Sequence, residues 1–254
     1  MPQQRDASRD SGHSVKGLSA LVLNPLASHT LVDDCYHELK RAILELDLAP
    51  GEPLSEIRIA ASLGTSKTPV RQAFARLTSE HLIVPLPGRH SCVAALPPEF
   101  LHEIYQVRLM LEPPSLRTVA PTLTDENFAT LDRLMTEFQD AHDQHDRKRF
   151  STAGLEFHRY LIACSNNTHM INIVAELFDH VIRIHNALFL SEEVADHGWS
   201  RKGVEDHRRI VDALLNDDGE RAAELIAADI GAILEPSMER FVEDALARLT
   251  SQHR

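Results

Sequence analysis

Between residues 31 and 95 the chain is punctuated in a way that few small folds accommodate. Val32, Tyr36, Leu39, Ile43 and Leu46 recur at alternating steps of four and three, which puts them on one stripe of an amphipathic helix. Ala49-Pro50-Gly51 ends that helix, because proline cannot continue it and glycine supplies the turn. Ser55 is placed to cap a second, short helix holding Ile59, Ala60 and Leu63, and Gly64 closes it with a tight turn into Ser66. A third helix then runs from Ser66 to about Ser79, with Pro69 tolerated in its first turn and Val70, Ala73, Phe74 and Leu77 facing inward. This is helix-turn-helix spacing.

Beyond the third helix, Leu82-Ile-Val-Pro-Leu and Ser91-Cys-Val-Ala read as two short strands joined by Pro87-Gly88-Arg89-His90, a hairpin with a basic tip. Three helices followed by such a hairpin make a winged helix. A helix set in a DNA major groove needs short polar or basic side chains near its N-terminal end, and a wing reaches the backbone or the minor groove. Lys67, Thr68 and Arg71 on the outer face of the third helix meet the first need, and Arg89 the second. A single surface arginine is ordinarily just solvated. Lys67 and Arg71 stand out from that by position, and Arg76, later in the helix, does not.

Charge does not oppose this reading once it is resolved along the chain. The net charge is -12, but residues 31–95 carry seven Lys/Arg against eight Asp/Glu, whereas residues 96–254 carry sixteen against twenty-eight. The acidic excess lies in the second segment, and a near-neutral first segment binds DNA if its basic groups share a face.

The second segment is helical by periodicity throughout: Leu101, Tyr105 and Leu109; Leu131, Leu134, Met135 and Phe138; Phe150, Phe157 and Leu161; Ile173, Val174, Leu177, Phe178 and Val181; Ile210, Val211 and Leu214. Six or seven helices with short connections predict an antiparallel bundle, a scaffold that holds ligands between facing helices. Pro236 is expected to stop or kink the last long helix, leaving Phe241, Val242 and Leu246 on a terminal piece. The fold class expected is therefore mainly α, a winged helix-turn-helix with a small β-hairpin plus an all-α bundle. Residues 1–30 are read as a flexible tail, 31–95 as the winged helix and 96–254 as the bundle. No apolar run approaches the roughly 20 residues that span a bilayer, the first thirty residues lack a secretory signal, and the three cysteines are far apart without a CxxC pair. A reducing cytoplasm is expected.

Pro50-Gly51-Glu-Pro-Leu-Ser55-Glu56, Leu63-Gly64-Thr-Ser-Lys67-Thr68-Pro69-Val70-Arg71-Gln-Ala73 and Pro87-Gly88-Arg89 together resemble the DNA-binding domain of the GntR family of bacterial regulators. The resemblance implies DNA contacts from Ser66, Lys67, Thr68, Arg71, Gly88 and Arg89. It departs from the family at Ile57, where an arginine that contacts DNA often stands. In the same order, Val107-Arg108-Leu109-Met110-Leu111-Glu112-Pro113, Glu156-Phe157-His158-Arg159-Tyr160-Leu161, Glu205-Asp206-His207-Arg208-Arg209-Ile210 and Asp217-Asp218-Gly-Glu-Arg-Ala222-Ala223 resemble the effector domain of the FadR subgroup. That implies a homodimer whose hold on operator DNA changes when a small molecule, often an organic acid, enters the bundle.

Many members of the subgroup hold a metal there through an Asp and a His four apart on one helix and two His from later helices. In this chain His158 and His207 match, but Gly154 occupies the Asp position and Asp229 that of the last His. His158, His207 and Asp229 remain competent ligands for Zn or a similar divalent cation; the alternative is a metal-free pocket in which they meet the effector directly. A carboxylate effector needs a positive partner, for which Arg108, Arg183 and Asn186 are candidates, with His185 secondary. Arg108 also stands at salt-bridge spacing from Glu112. The function expected is a ligand-controlled transcription regulator, a repressor by preference. Its rivals are a metal-dependent enzyme built on the His/Asp cluster and an architectural DNA-binding protein that senses nothing.

Overall fold

The structure, a computed structural model, describes residues 30–88, 90–189, 199–235, 240, 242 and 244–245. Helix α1, Leu31–Leu44, opens on a capping box in which Thr30 and Asp33 satisfy each other's backbone N–H groups. After the Pro50-Gly51 turn come strand β1, Pro53–Leu54, and helix α2, Glu56–Ser62, capped by Ser55. Gly64 takes a φ of 64°, the left-handed turn that delivers Ser66 as N-cap of α3, Lys67–Ser79. Strands β2, Ile83–Leu86, and β3, His90–Val93, form the wing, whose Gly88 has a φ of 89°.

The sheet has three strands, in the order β1-β3-β2, and both pairings are antiparallel. β1 pairs Pro53 with Cys92 and Leu54 with Ser91. Periodicity shows only the hairpin, because two residues are too few to alternate. Tyr36, Leu39, Ile43, Leu54, Val70, Phe74, Leu77, Leu82 and Val93 bury themselves in one cluster beneath α1, α3 and the sheet. Arg76 lies flat over the Tyr36 ring at 3.7 Å and pairs with Asp33 at 2.7 Å, which gives this residue a role in holding α1 to α3.

Among the described residues the second core is built chiefly from six helices, α4, Pro98–Val119; α5, Asp125–Asp143; α6, Arg147–Ala163; α7, Thr168–Phe189; α8, Trp199–Leu215; and α9, Gly219–Gly231, with Val242 and Ala245 joining it. α9 lies between α4 and α8, α5 against α6 and α8, and α7 against α4, α6 and the first helix α1. Gly219 allows α9 to start in contact with α4: a Cβ there would meet Ala120 Cβ at 3.0 Å and the Leu116 carbonyl at 3.2 Å. α9 ends at Gly231 and tightens into a 3₁₀ turn over Ala232–Leu234, short of the stop expected at Pro236. Pro236 itself, Phe241 and Leu246 lie outside the described residues, as do residues 1–29 of the expected tail and Arg89, whereas Val242 is buried. No helix among the described residues is long and apolar enough to cross a membrane.

α7 buries a histidine near the junction of the two cores. His180 meets the Phe100 ring edge-on, with centroids 4.9 Å apart, and its Nδ1 has no hydrogen-bond partner among the described residues. Burial, reinforced by Arg183, His81 and Lys40, lowers its pKa to about 4. An unfolded chain protonates this ring near pH 6.5, so as pH falls from about 6.5 toward 4 the unfolded state gains a proton that the folded state refuses. Stability contributed by neutral His180 is therefore lost over that window, at up to about 1.4 kcal/mol per pH unit. Urea unfolding of wild type and His180→Gln across the same window should show the stability gap between them changing with pH. A gap that is constant with pH would contradict a neutral, buried His180.

Candidate functional site

The outer face of α3 presents Ser66, Lys67, Thr68, Arg71 and Gln72 to solvent, while Val70, Ala73, Phe74 and Leu77 turn inward. The Arg71 side chain is 67% exposed and yet not loose: its Nε and Nη2 donate to Glu56 in the first turn of α2, the latter at 2.9 Å. Glu56 escaped the sequence reading because its partner lies fifteen residues away on another helix. It aims the guanidinium along the groove between α2, α3 and the sheet, which Lys67 also lines. Ile57 is 62% exposed on the rim of the same groove, so an apolar side chain stands where the family often has a cation. With Gly88 at the wing tip, this surface places basic and polar groups at the N-terminal end of one projecting helix.

Inside the bundle, α6, α8 and α9 each send one side chain to a common point. His158 Nε2 lies 3.1 Å from His207 Nε2 and 3.1 Å from Asp229 Oδ2, and the last two atoms are 3.5 Å apart. Zinc bonds of roughly 2.1 Å place tetrahedral donors about 3.4 Å apart, so this triangle, with edges of 3.1 to 3.5 Å, is close to the dimensions of three ligands on one cation. His158 Nδ1, on the far side of its ring, meets Glu112 Oε2 at 2.7 Å, and Arg108 Nε donates to Glu112 Oε1 at 2.6 Å. The chain Arg108–Glu112–His158 turns the ring so that its Nε2 points into the cluster, which is how carboxylates orient metal-binding histidines. His207 is held differently, between the Phe157 and Phe138 rings at centroid distances of 4.5 and 4.8 Å.

The charges follow from the same contacts. Burial tends to raise the Asp229 carboxyl, but the adjacent His207 and His158 overcome it and hold the pKa well below the carboxylate range. Burial depresses His207 despite Asp229, whereas on His158 the same burial is outweighed by Glu112 and Asp229 and the pKa rises. Ionised Asp229 and neutral His207 are in the state a cation requires, whereas a cation has to displace the proton that His158 holds more tightly.

The cluster opens on a cavity of about 80 Å³, walled by Tyr105, Phe138, Phe150, Leu155 and Ile233, with Arg108, Lys202 and Asp206 among its charged lining. Gly154 is part of this wall. A Cβ there would meet Phe138 Cε2 at 3.1 Å and the His207 ring at 3.6 Å, and Phe138 is itself stacked on Phe150. The volume that a fourth, carboxylate ligand would need is thus taken by an aromatic ring packed on His207. Of the groups expected at an effector, Arg108 and His185 line the cavity; Arg183 and Asn186 do not. The latter two spend their N–H groups on main-chain carbonyls, Arg183 on that of Ala94 and Asn186 on that of Leu44 at 2.8 Å.

A winged helix with a basic recognition face, joined to a helical bundle with a small cavity lined by charged and aromatic side chains, fits a DNA-binding regulator of the effector-sensing class. The comparisons agree: residues 31–93 match the bacterial regulatory proteins of the gntR family and residues 103–232 match the FCD domain. The chain belongs to the GntR family of transcription regulators, in its FCD-domain branch, and not to a family of enzymes. It is 30% identical over 188 residues to a probable D-xylose utilization operon transcriptional repressor of Paenarthrobacter nicotinovorans, covering 72% of this chain and 78% of that one. It is 26% identical over 196 residues to the HTH-type transcriptional regulator YdhC of Bacillus subtilis (strain 168), covering 76% and 84%. The solved structure of E. coli McbR/YncC shares the fold, with a TM-score of 0.68 at 22% identity over 89% of this chain and all of that one.

Gly154 yields a prediction whose sign depends on its neighbour. Alanine gains about 1 kcal/mol over glycine in a helix, but pressing on a ring packed against both Phe150 and His207 costs about 1–3 kcal/mol. Gly154→Ala is expected to destabilise the protein by about 1 kcal/mol net, and in a Phe138→Leu background the same change should become neutral or stabilising. Urea unfolding of the four proteins checks the reversal.

Proposed function

We propose that this regulator is a homodimeric repressor of the FadR type, acting in the cytoplasm, that loosens its hold on a palindromic operator when a small organic acid enters the bundle cavity. The observation that carries the reading is the convergence of His158, His207 and Asp229 on one point, backed by Glu112 and opening on an apolar-walled cavity. These three residues would hold Zn or a similar divalent cation, which when bound supplies a positive centre with an open position for an anionic group. Charge supports the match: Arg108 and Glu112 neutralise each other and Asp229 contributes one negative charge, so a divalent ion leaves the cluster with one net positive charge. A monocarboxylate balances it. Arg108 turns its guanidinium over the Tyr105 ring at 5.0 Å, at the cavity wall, in position to stabilise the same anion. At the other end of the molecule, Ser66, Lys67, Thr68, Arg71, Gly88 and Arg89 are the proposed contacts to operator DNA. A dimer's two-fold axis then maps onto the two halves of the site.

Elemental analysis of the purified full-length protein should find about one divalent ion per chain, lost in His207→Ala and reduced in Glu112→Gln. A protein free of metal that still binds carboxylates would assign the cluster to direct effector contact. Arg71→Ala is expected to weaken binding to DNA from upstream of its own gene by about tenfold or more, with an unchanged circular dichroism spectrum. Gel shifts at low salt measure this, and equal affinity for the variant would remove Arg71 from the interface.

A further inference from the structure

Helix α7 carries polar side chains on two faces. On the bundle side His185 lines the cavity, where it meets Tyr105 Oη at 2.9 Å and Ser151 Oγ at 3.2 Å. On another side Asp179, Arg183 and Asn186, spaced by four and three residues, form a stripe. Each of the three reaches a different part of the winged-helix half or of the segment that leaves it. Asp179 Oδ2 pairs with Lys40 Nζ at 2.6 Å, and the same ammonium pairs with Glu80 at 2.8 Å, so that α1, the end of α3 and α7 share one cation. Arg183 Nη2 donates to the Ala94 carbonyl, just after β3, and Asn186 Nδ2 to the Leu44 carbonyl.

Two of these three partners are main-chain carbonyls, and they are groups that secondary structure leaves over. Leu44 is the last residue of α1, whose final carbonyls have no helical partner, and Ala94 follows the last residue of β3. Bonds of this kind fix where the backbone of the DNA-binding half sits. Arg183 is fully buried, and among the described residues its Nε and Nη1 have no hydrogen-bond partner and it forms no ion pair. A guanidinium held in this way is costly, and an arrangement that returns it to water competes with the one observed. A clasp that leaves two of its own donors unpaired is the kind of contact that a second arrangement can release.

We propose that α7 is the coupling element of this regulator: occupation of the cavity displaces His185, and the Asp179–Arg183–Asn186 stripe, on the same turns of helix, resets the docking of the DNA-binding half at Lys40, Leu44 and Ala94. The inference rests on the reading of the cavity as the effector site. His185 lies within two residues of both Arg183 and Asn186, so at 1.5 Å of rise per residue no flexible segment intervenes to absorb the movement. The winged-helix half receives it through backbone bonds at the exit of α1 and of β3, the two ends that orient α3 on DNA.

Two measurements on the full-length protein test the coupling. In the first, hydrogen exchange is compared between wild type and His185→Ala without added ligand. The amides of Leu48, Gly51 and Ala94, bonded to the carbonyls of Ala42, Val93 and Leu82, should exchange about tenfold faster in the variant, while those of Ile59 and Leu63 in α2 keep their rates. Unchanged exchange at Leu48, Gly51 and Ala94, with altered exchange in α6, overturns the proposal. In the second, zinc alone is titrated by calorimetry and operator affinity is measured with and without it. Asn186→Ala and the volume-matched Arg183→Met should bind zinc within about twofold of wild type but bring the ratio of the two operator affinities to about one. Variants that keep the wild-type ratio overturn the relay. A wild type that binds no zinc overturns the metal assignment instead, and the exchange comparison then decides the relay by itself.

Discussion

The buried ion pair between Arg108 and Glu112 is the contact on which the cavity depends. Taking two charges out of water costs more than their attraction returns unless the remaining lone pairs and N–H groups are also used. Here they are used: the second Glu112 oxygen receives His158 Nδ1, and the guanidinium is sandwiched between the faces of Tyr105 and Phe178 at 5.0 and 5.1 Å. The consequence is chemical as much as structural. With Nδ1 committed to Glu112, His158 has only Nε2 left to offer, and Nε2 is the atom at the centre of the cluster. Loss of either charge would strand the other in the core, at a cost of about 3–5 kcal/mol, and would free the ring to turn. The ion pair is the means by which a helical bundle presents a donor atom at a defined point.

The placement of this pair also shows why the site was only partly legible in the sequence. Arg108 and Glu112 stand four apart on a helix, which reads equally well as a solvated surface bridge, and nothing local announces that both are buried. His158, His207 and Asp229 were picked out by resemblance, since residues on three helices up to 71 positions apart leave no spacing signal of their own. Glu112 as the orienting carboxylate and Glu56 as the partner of Arg71 were not found at all, because each acts on a residue whose neighbourhood exists only after packing. Arg183 and Asn186 illustrate the converse. A charged and an amide side chain on an apolar helix suggested a ligand, and in the fold they bind leftover carbonyls of the other half.

The winged helix was far more legible, because its determinants are local. Pro50-Gly51, Ser55, Gly64 and Gly88 each act on the backbone where they stand, and three of the four turns they mark need glycine at positive φ. Elsewhere the chain breaks its helices without such markers. His145, Asn166 and Asp217 all take the left-handed conformation after helices of the bundle, so those C-terminal boundaries carry little sequence signal even where the helices themselves are plain. Strand β1 was invisible for a related reason: it is defined by its pairing with β3 and not by any pattern of its own.

Gly154 draws these threads together, since it is both a departure from the family pattern and a packing necessity. Phe138 fills the space above it, stacks on Phe150 and packs against the His207 ring, so the ring that occupies the space of a fourth ligand also helps to fix His207. A fully ligated ion has little affinity left for an effector, whereas three donors leave the ion an open face. An ion held here would have its open face beside a cavity walled by aromatic and aliphatic side chains, which suit the apolar body of an anion. Glycine at the family's ligand position and the aromatic wall beside it are then one structural feature, and an ion held by the three remaining donors would depend on what enters the cavity.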